Sequence, residues 1–215
     1  MGYAQRLASG IEIASTRPEH APALEALQRV VFATLADEER FKKEHYLKHI
    51  ELFPEGQFVA LADGVVVGST STIRWSFDFA HPGHTFAEVI EGGWLTSHQP
   101  DGTWLYGADI GTHPDFRRRG IGRGLYAARH HTVHALGLEG QITVGMLRGY
   151  GELKETMSAE SYYESVARGE RRDPTISMQM DVGFEPRGLV PGYLNDPVCD
   201  RYGVLLVLPA EKEVS

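Results

Sequence analysis

The sequence predicts one domain of mixed α/β class. Three observations carry this. Stretches of apolar alternation and stretches of helical periodicity interleave along the chain, hairpin patterns stand near both ends, and 215 residues run without an internal repeat or a low-complexity linker. A chain of that length buries one substantial core.

The elements follow in order. Residues 1–10 read as an N-terminal tail. "IEIAST" (11–16) alternates as a strand, and "RPEHAPALEALQRVVFATL" reads as a helix with Pro18 near its start. "DEERFKKEHYLKHIELF" reads as a second amphipathic helix, closed by Pro54 and Gly56. "QFVALADGVVVGSTSTIRWSF" is two apolar runs joined by Asp63-Gly64, a hairpin signal. Residues 80–102 read as a loop-rich insertion with one short helix. "TWLYGADIGTH" is the next strand, stopped by Pro114; Gly107 and Gly111 inside it mark a bulge or a close backbone approach. From Gly120 the positions Ile121, Leu125, Ala128, Thr132 and Leu136 recur at helical spacing, and Gly137 ends that helix. "QITVGM" reads as a strand, 152–171 as a charged helical insertion, and "DPTISMQMDVGF" as a helix. Two final strands, "FEPRGLV" and "RYGVLLVL", follow.

Composition narrows the function. The net charge is −8, from 29 acidic residues against 21 Lys and Arg, which argues against a nucleic-acid partner. No apolar run approaches the roughly 18–20 residues that cross a bilayer, so no membrane role is expected. The single cysteine, Cys199, excludes an internal disulfide and fits a cytoplasmic protein. Against this acidic background, the stretch from Thr112 to His130 holds five arginines and one acid, Asp115. Such local charge suits a small anion. A helix starting near Gly120 leaves its first N–H groups unpaired, glycines at 120, 122 and 124 remove the Cβ atoms that would hold a phosphate off, and the arginines clamp the same oxygens. A P-loop needs Gly-Lys-Ser/Thr, and a dinucleotide fingerprint needs G-x-G-x-x-G straight after the first strand. The spacing here, G-x-G-x-G, fits neither.

"THPDFRRRGIGRGLY" resembles motif A of the GNAT superfamily of N-acetyltransferases, whose core is Q/R-x-x-G-x-G/A after a strand. Arg117 stands on the Q/R position, and Gly120 and Gly122 on the two small ones. "VGFEPRGLV" is similar to the family's step into its penultimate strand. More narrowly, "PDGTWLYG", "DPTISMQMDVGFEPRG" and "YLNDP" resemble the acetyltransferase-like half of bacterial proteins that carry a carbon–nitrogen hydrolase behind it; these 215 residues hold no such second half. The resemblance spans about 11–208. It implies a mostly antiparallel seven-stranded sheet with a splay between strands 4 and 5, flanked by helices. It also implies acetyl-CoA, with the pyrophosphate over Arg117, Arg118, Arg119, Gly120, Ile121, Gly122, Arg123 and Gly124, and the pantetheine arm beside Ile110, Gly111 and Thr112.

Acetyl transfer to an amine needs a base, an acid for the departing thiolate, and a backbone N–H on the thioester carbonyl. Asp109, on the strand expected to line the thioester, is the first candidate base. Strand parity sets it opposite Ile110 unless a bulge intervenes. Glu88 and Glu91 are weaker candidates. Many family members carry a Tyr four residues before the "GF" glycine and an Asn seven before that; here Gln179 and Arg172 stand there. Tyr193 and Tyr202, on either side of the last loop, are the candidate acids. His130 and His134 are spaced i, i+4, but no Glu follows His130, so exposed histidines are expected and no metal site. "RGERR" (168–172) reads as a solvated turn, and Trp75, Trp94 and Trp104 as packing residues. The acceptor is a small-molecule or protein amine. The rival reading is a non-catalytic acyl-CoA-binding module, and the last strands offer a surface for a homodimer.

Overall fold

Alternation builds one sheet. In the computed structural model, which describes residues 2–215, eight strands pair in the order β1-β2-β3-β4-β5-β6-β8-β7, antiparallel throughout except for β5 against β6. The first, β1 (Ala4–Arg6), forms inside the stretch expected to be a tail. Its partner β2 (Glu12–Ser15) takes it antiparallel, with Gln5 opposite Ile13. That addition makes eight strands from the expected seven. β3 (Phe58–Ala62) and β4 (Val65–Trp75) meet at the Asp63-Gly64 turn, where both residues have positive φ, 48° and 81°, as a two-residue hairpin of matching twist requires.

Helices cover both faces. α1 (Ala21–Val31) and α2 (Lys43–Leu52) pack with α3 (Phe86–Ile90) on one side, through Leu24, Tyr46 and Val89 against Ala14, Val59 and Ile73. β5 (Trp104–Thr112) then leads into α4 (Ile121–Leu136), which lies on the other side: Ile121, Leu125 and Ala128 meet Ile13, Phe58, Ala60 and Val67. Neighbours such as Ile13 and Ala14 face opposite clusters, the period of two expected of a strand covered on both faces. The buried flank of α4 is wider than its apolar stripe. His130, expected to be exposed, is buried with its Nδ1 3.1 Å from Gln141 Nε2, whereas Leu136 at the end of the stripe reaches solvent. The segment beyond the last strand covers that flank, docked by Ala210 N–H donating to the Glu139 carbonyl.

β6 (Gly140–Met146) runs parallel to β5 only from Trp104↔Gly140 to Gly107↔Thr143. Beyond that the two strands part. The Thr143 hydroxyl closes the ladder on the Gly107 carbonyl at 2.9 Å. The 152–171 insertion carries α5 (Ala159–Ala167), and buried Asp173 ties it to the frame. Its carboxylate accepts from Gly149 N–H, the Tyr162 hydroxyl, and the Thr175 and Ile176 amides that open α6 (Ile176–Val182). β7 (Glu185–Pro191) and β8 (Tyr202–Pro209) close the sheet, with β7 at its edge. Among the described residues, no helix is long and apolar enough to cross a membrane.

Candidate functional site

The parting of β5 and β6 opens a cleft of about 1080 Å³. One end is the turn into α4. Gly120 sits there in the left-handed region, φ 82°, and Gly124 N–H is the first to reach back to a helix carbonyl, Gly120 O at 2.9 Å. The amides of Ile121, Gly122 and Arg123 precede that first bond and lie at the cleft, without intrahelical acceptors. A Cβ on Gly122 would meet nothing closer than Met178 Sδ at 3.9 Å, so the space beside this amide row is open. Arg117, Arg118 and Arg123 of this turn line the cleft, as do Arg148 and Arg172, the latter paired with Asp181 at 2.5 Å.

Two residues of the expected set stand elsewhere. Arg119 lies outside the cleft lining, its guanidinium over the Phe116 ring at 4.9 Å. Gly124 is a packing glycine: a Cβ there would lie 2.9 Å from Ile13 Cγ1 and 3.1 Å from Leu7 Cδ2, so it lets α4 approach the sheet. Ile110, Gly111 and Thr112 line the cleft.

The floor is set by a bulge. Ser71 pairs with Asp109 but Thr72 with Gly107, so Ala108 is the extra residue and the parity of β5 changes there. Asp109 is brought to the cleft and half-buried. Its Oδ1 accepts from Ser71 N–H and its Oδ2 from Gln28 Nε2, both at 2.6 Å. Burial pushes its carboxyl up to about 6, against the Ser71 amide, the Arg129 guanidinium and Gln28, which favour the carboxylate. Arg129 is fully buried, donating from Nε to Thr70 Oγ1 at 2.7 Å and from its terminal nitrogen to the Asp109 carbonyl. Gly107 exists for this contact: a Cβ there would fall 2.2 Å from an Arg129 guanidinium nitrogen. Gln28 and Arg129 were not singled out from sequence. The available signal was a long polar side chain on the buried face of an amphipathic helix, between Leu24 and Val31 in one case and beside Ala128 and Thr132 in the other.

Tyr193 lines the cleft and is buried, its hydroxyl 3.0 Å from that of Tyr106. Tyr202 does not line it and packs edge-on against Tyr150, ring centroids 5.5 Å apart. Gln179 lines the cleft, with Nε2 donating to the Tyr126 hydroxyl at 2.8 Å. Glu88 caps α3 by accepting from Thr85 N–H, and Glu91 accepts from the Thr96 hydroxyl; neither reaches the cleft. Two more carboxylates line the cleft. Buried Asp196 accepts from the Thr34 hydroxyl at 2.8 Å, and Glu39 is held above the usual carboxylate range by burial. Among the described residues, no group of three metal-ligating side chains gathers.

The family model described as "Acetyltransferase (GNAT) family" matches residues 21–146. The chain belongs to the GNAT acetyltransferase family. Its curated relatives include the uncharacterized N-acetyltransferase YkwB of Bacillus subtilis, 33% identical over 77% of this chain and 74% of YkwB. They also include the probable hydrolase YhcX of the same organism, 37% identical over 78% of this chain. The chain spans about a third of YhcX (33%). Among solved structures, the GphF GNAT-like decarboxylase in complex with isobutyryl-CoA superposes with a TM-score of 0.76 at 24% identity, over 93% of this chain and 99% of that one. This last likeness concerns the fold alone. The eight-stranded sheet parted between β5 and β6 is thus the GNAT arrangement, extended at one edge by β1.

Proposed function

We propose that the protein transfers an acetyl group from acetyl-CoA to a primary amine, in one ternary complex. The observation that carries this reading is one cleft that gathers three kinds of lining: the open amides and arginines of the turn into α4, the parted strands β5 and β6, and the side chains of Asp109, Glu39, Asp196 and Tyr193. The first fits a pyrophosphate, with Ile121, Gly122 and Arg123 amides and the Arg117, Arg118 and Arg123 side chains as its donors. The parted strands fit an extended pantetheine arm, beside Ile110 to Thr112. GphF holds an acyl-CoA on the same fold, which supports a thioester ligand here.

When bound, the donor supplies an activated acyl carbon. The chain's own residues do the rest. An amine with a pKa of about 10.4 is almost wholly protonated at neutral pH. Asp109 is ionised above about pH 6 and faces the cleft, so it takes the proton that frees the nitrogen. Amides of β5 beyond Gly107, no longer bonded to β6, are the donors for the thioester carbonyl. Three carboxylates on the cleft, Asp109, Glu39 and Asp196, favour a cationic amine, whether small molecule or protein side chain.

The rival reading, an acyl-CoA-binding module without turnover, draws on Gln179 standing where family members carry a tyrosine. Both are tested together. Acetyl-CoA at about 100 times its Kd adds roughly 2.7 kcal/mol, which raises Tm by about 5–11 °C. Gly122→Glu, which has room to fold, should lose that shift because its carboxylate takes the place of the phosphate. Thiol release on adding one of a panel of amines supports transfer; a thermal shift with no thiol release across the panel supports the module.

A further inference from the structure

The 80–102 insertion brings a histidine to the tyrosine that lines the cleft. Thr85 and Glu88 form a reciprocal cap at the start of α3, and Phe86 N–H donates to the Tyr193 carbonyl at 2.7 Å, so the insertion and the Tyr193 loop are fastened together. His84, one residue before the cap, lies half-buried among the rings of Trp75, Phe77, Tyr106 and Tyr193. Its Nδ1 is 2.8 Å from the Pro82 carbonyl and its Nε2 is 2.6 Å from the Tyr106 hydroxyl. Tyr106, fully buried, is in turn 3.0 Å from the Tyr193 hydroxyl.

The hydrogens in this chain are determined by counting. A carbonyl only accepts, so Nδ1 carries the ring proton. In the neutral ring Nε2 is therefore an acceptor, and the Tyr106 O–H must donate to it. Tyr106 has no second hydrogen, so the Tyr193 O–H must donate to Tyr106. The hydroxyl hydrogens of Tyr193 and Tyr106 thus both point toward His84, which leaves the Tyr193 oxygen free to accept one more proton.

We propose that Tyr193, Tyr106 and His84 form a proton relay that draws one proton from the acceptor nitrogen into the insertion and returns it to the departing sulfur. The proposal rests on the amine-acetyltransfer reading. Asp109 removes the first proton from the ammonium. The amine nitrogen then bonds to the thioester carbon, and a second proton leaves nitrogen for Tyr193 Oη. Tyr193 passes its own proton to Tyr106, and Tyr106 passes its proton to His84 Nε2, which becomes imidazolium. The carbon–sulfur bond breaks with the electron pair on sulfur. The same three transfers run back, Tyr193 protonates the thiolate, and His84 is again neutral. The sum is amide plus thiol, with one proton released through Asp109. His84 and Tyr106 act only through Tyr193. Burial holds His84 below the ordinary imidazole range, against the Pro82 carbonyl and then Glu88, so the ring starts neutral.

Two measurements test the relay. Ring ¹⁵N–¹H correlation spectra of the labelled, ligand-free protein should show His84 as the Nδ1–H tautomer; the Nε2–H tautomer, which histidine ordinarily prefers in water, overturns the proposal. In thiol-release assays with acetyl-CoA and the best amine of the panel, Tyr106→Phe should lower turnover at least about 100-fold while keeping the acetyl-CoA thermal shift. His84→Ala should show the same loss, partly restored by added imidazole, and covers the case in which Tyr106→Phe does not fold. Unchanged turnover in the variant that folds overturns the relay. Absence of thiol release from the unaltered protein is a different failure, that of the transfer reading, and removes the relay with it.

Discussion

Asp109 ionises against its surroundings, and the consequence is measurable in both stability and rate. Its folded pKa of about 6 lies above the 3.8 of an exposed aspartate. Between those values the folded chain holds more proton than the unfolded one, so this residue's contribution to stability falls as pH rises from about 4 to 6 and levels off above. Asp109→Asn keeps an acceptor for the Ser71 amide and removes the charge. It should therefore melt about 2–6 °C higher than the parent at pH 8, with the gain shrinking to nothing near pH 4, in thermal scans across pH. Acetyl transfer should be lost in that variant, and in the parent it should fall away below about pH 6, as the base gains its proton. Gly107 is the complementary case. Its Cβ would meet a guanidinium already fixed by Thr70 and the Asp109 carbonyl, so Gly107→Ala should cost about 1–3 kcal/mol in denaturant titrations.

At the scale of elements, Asp173 joins three segments. Four donors converge on its carboxylate, from the loop after β6, from α5 and from the first turn of α6. Asp173→Ala leaves the α6 amides without their cap, a loss of about 2–4 kcal/mol. Hydrogen exchange should speed up at Thr175, Ile176 and across α5, while the amides of β3 and β4 keep their protection. The sheet edges behave differently. β7, the strand expected to support a dimer, carries Pro186 and Pro191, and neither can donate to a new ladder. The opposite edge is β1, only three residues long.

At the scale of the molecule, the cleft is a product of one parallel pairing that stops. Because β5 and β6 bond only as far as Gly107 and Thr143, the sheet separates at its centre, and side chains of both signs line the gap. Much of this was legible in the chain. Gly-Arg spacing at 117–123 marked the turn that lines the cleft because amide access and guanidinium charge are local properties, set by a few adjacent residues. The Asp63-Gly64 hairpin and the α4 boundaries at Gly120 and Gly137 were legible for the same reason. Arg119 and Gly124 were not separable from their neighbours, since which way a side chain turns at a helix start depends on what packs beneath it. The partners of Asp109 come from 81 and 38 residues earlier in the chain, and His84 meets Tyr106 across 22. The sequence by itself determined the class of the fold and the turn where arginines stand beside open amides, because periodicity and backbone exposure act over short range. Only the tertiary structure decided which carboxylate is raised toward neutrality and which of the two candidate tyrosines lines the cleft, because burial and hydrogen bonding between distant strands set both.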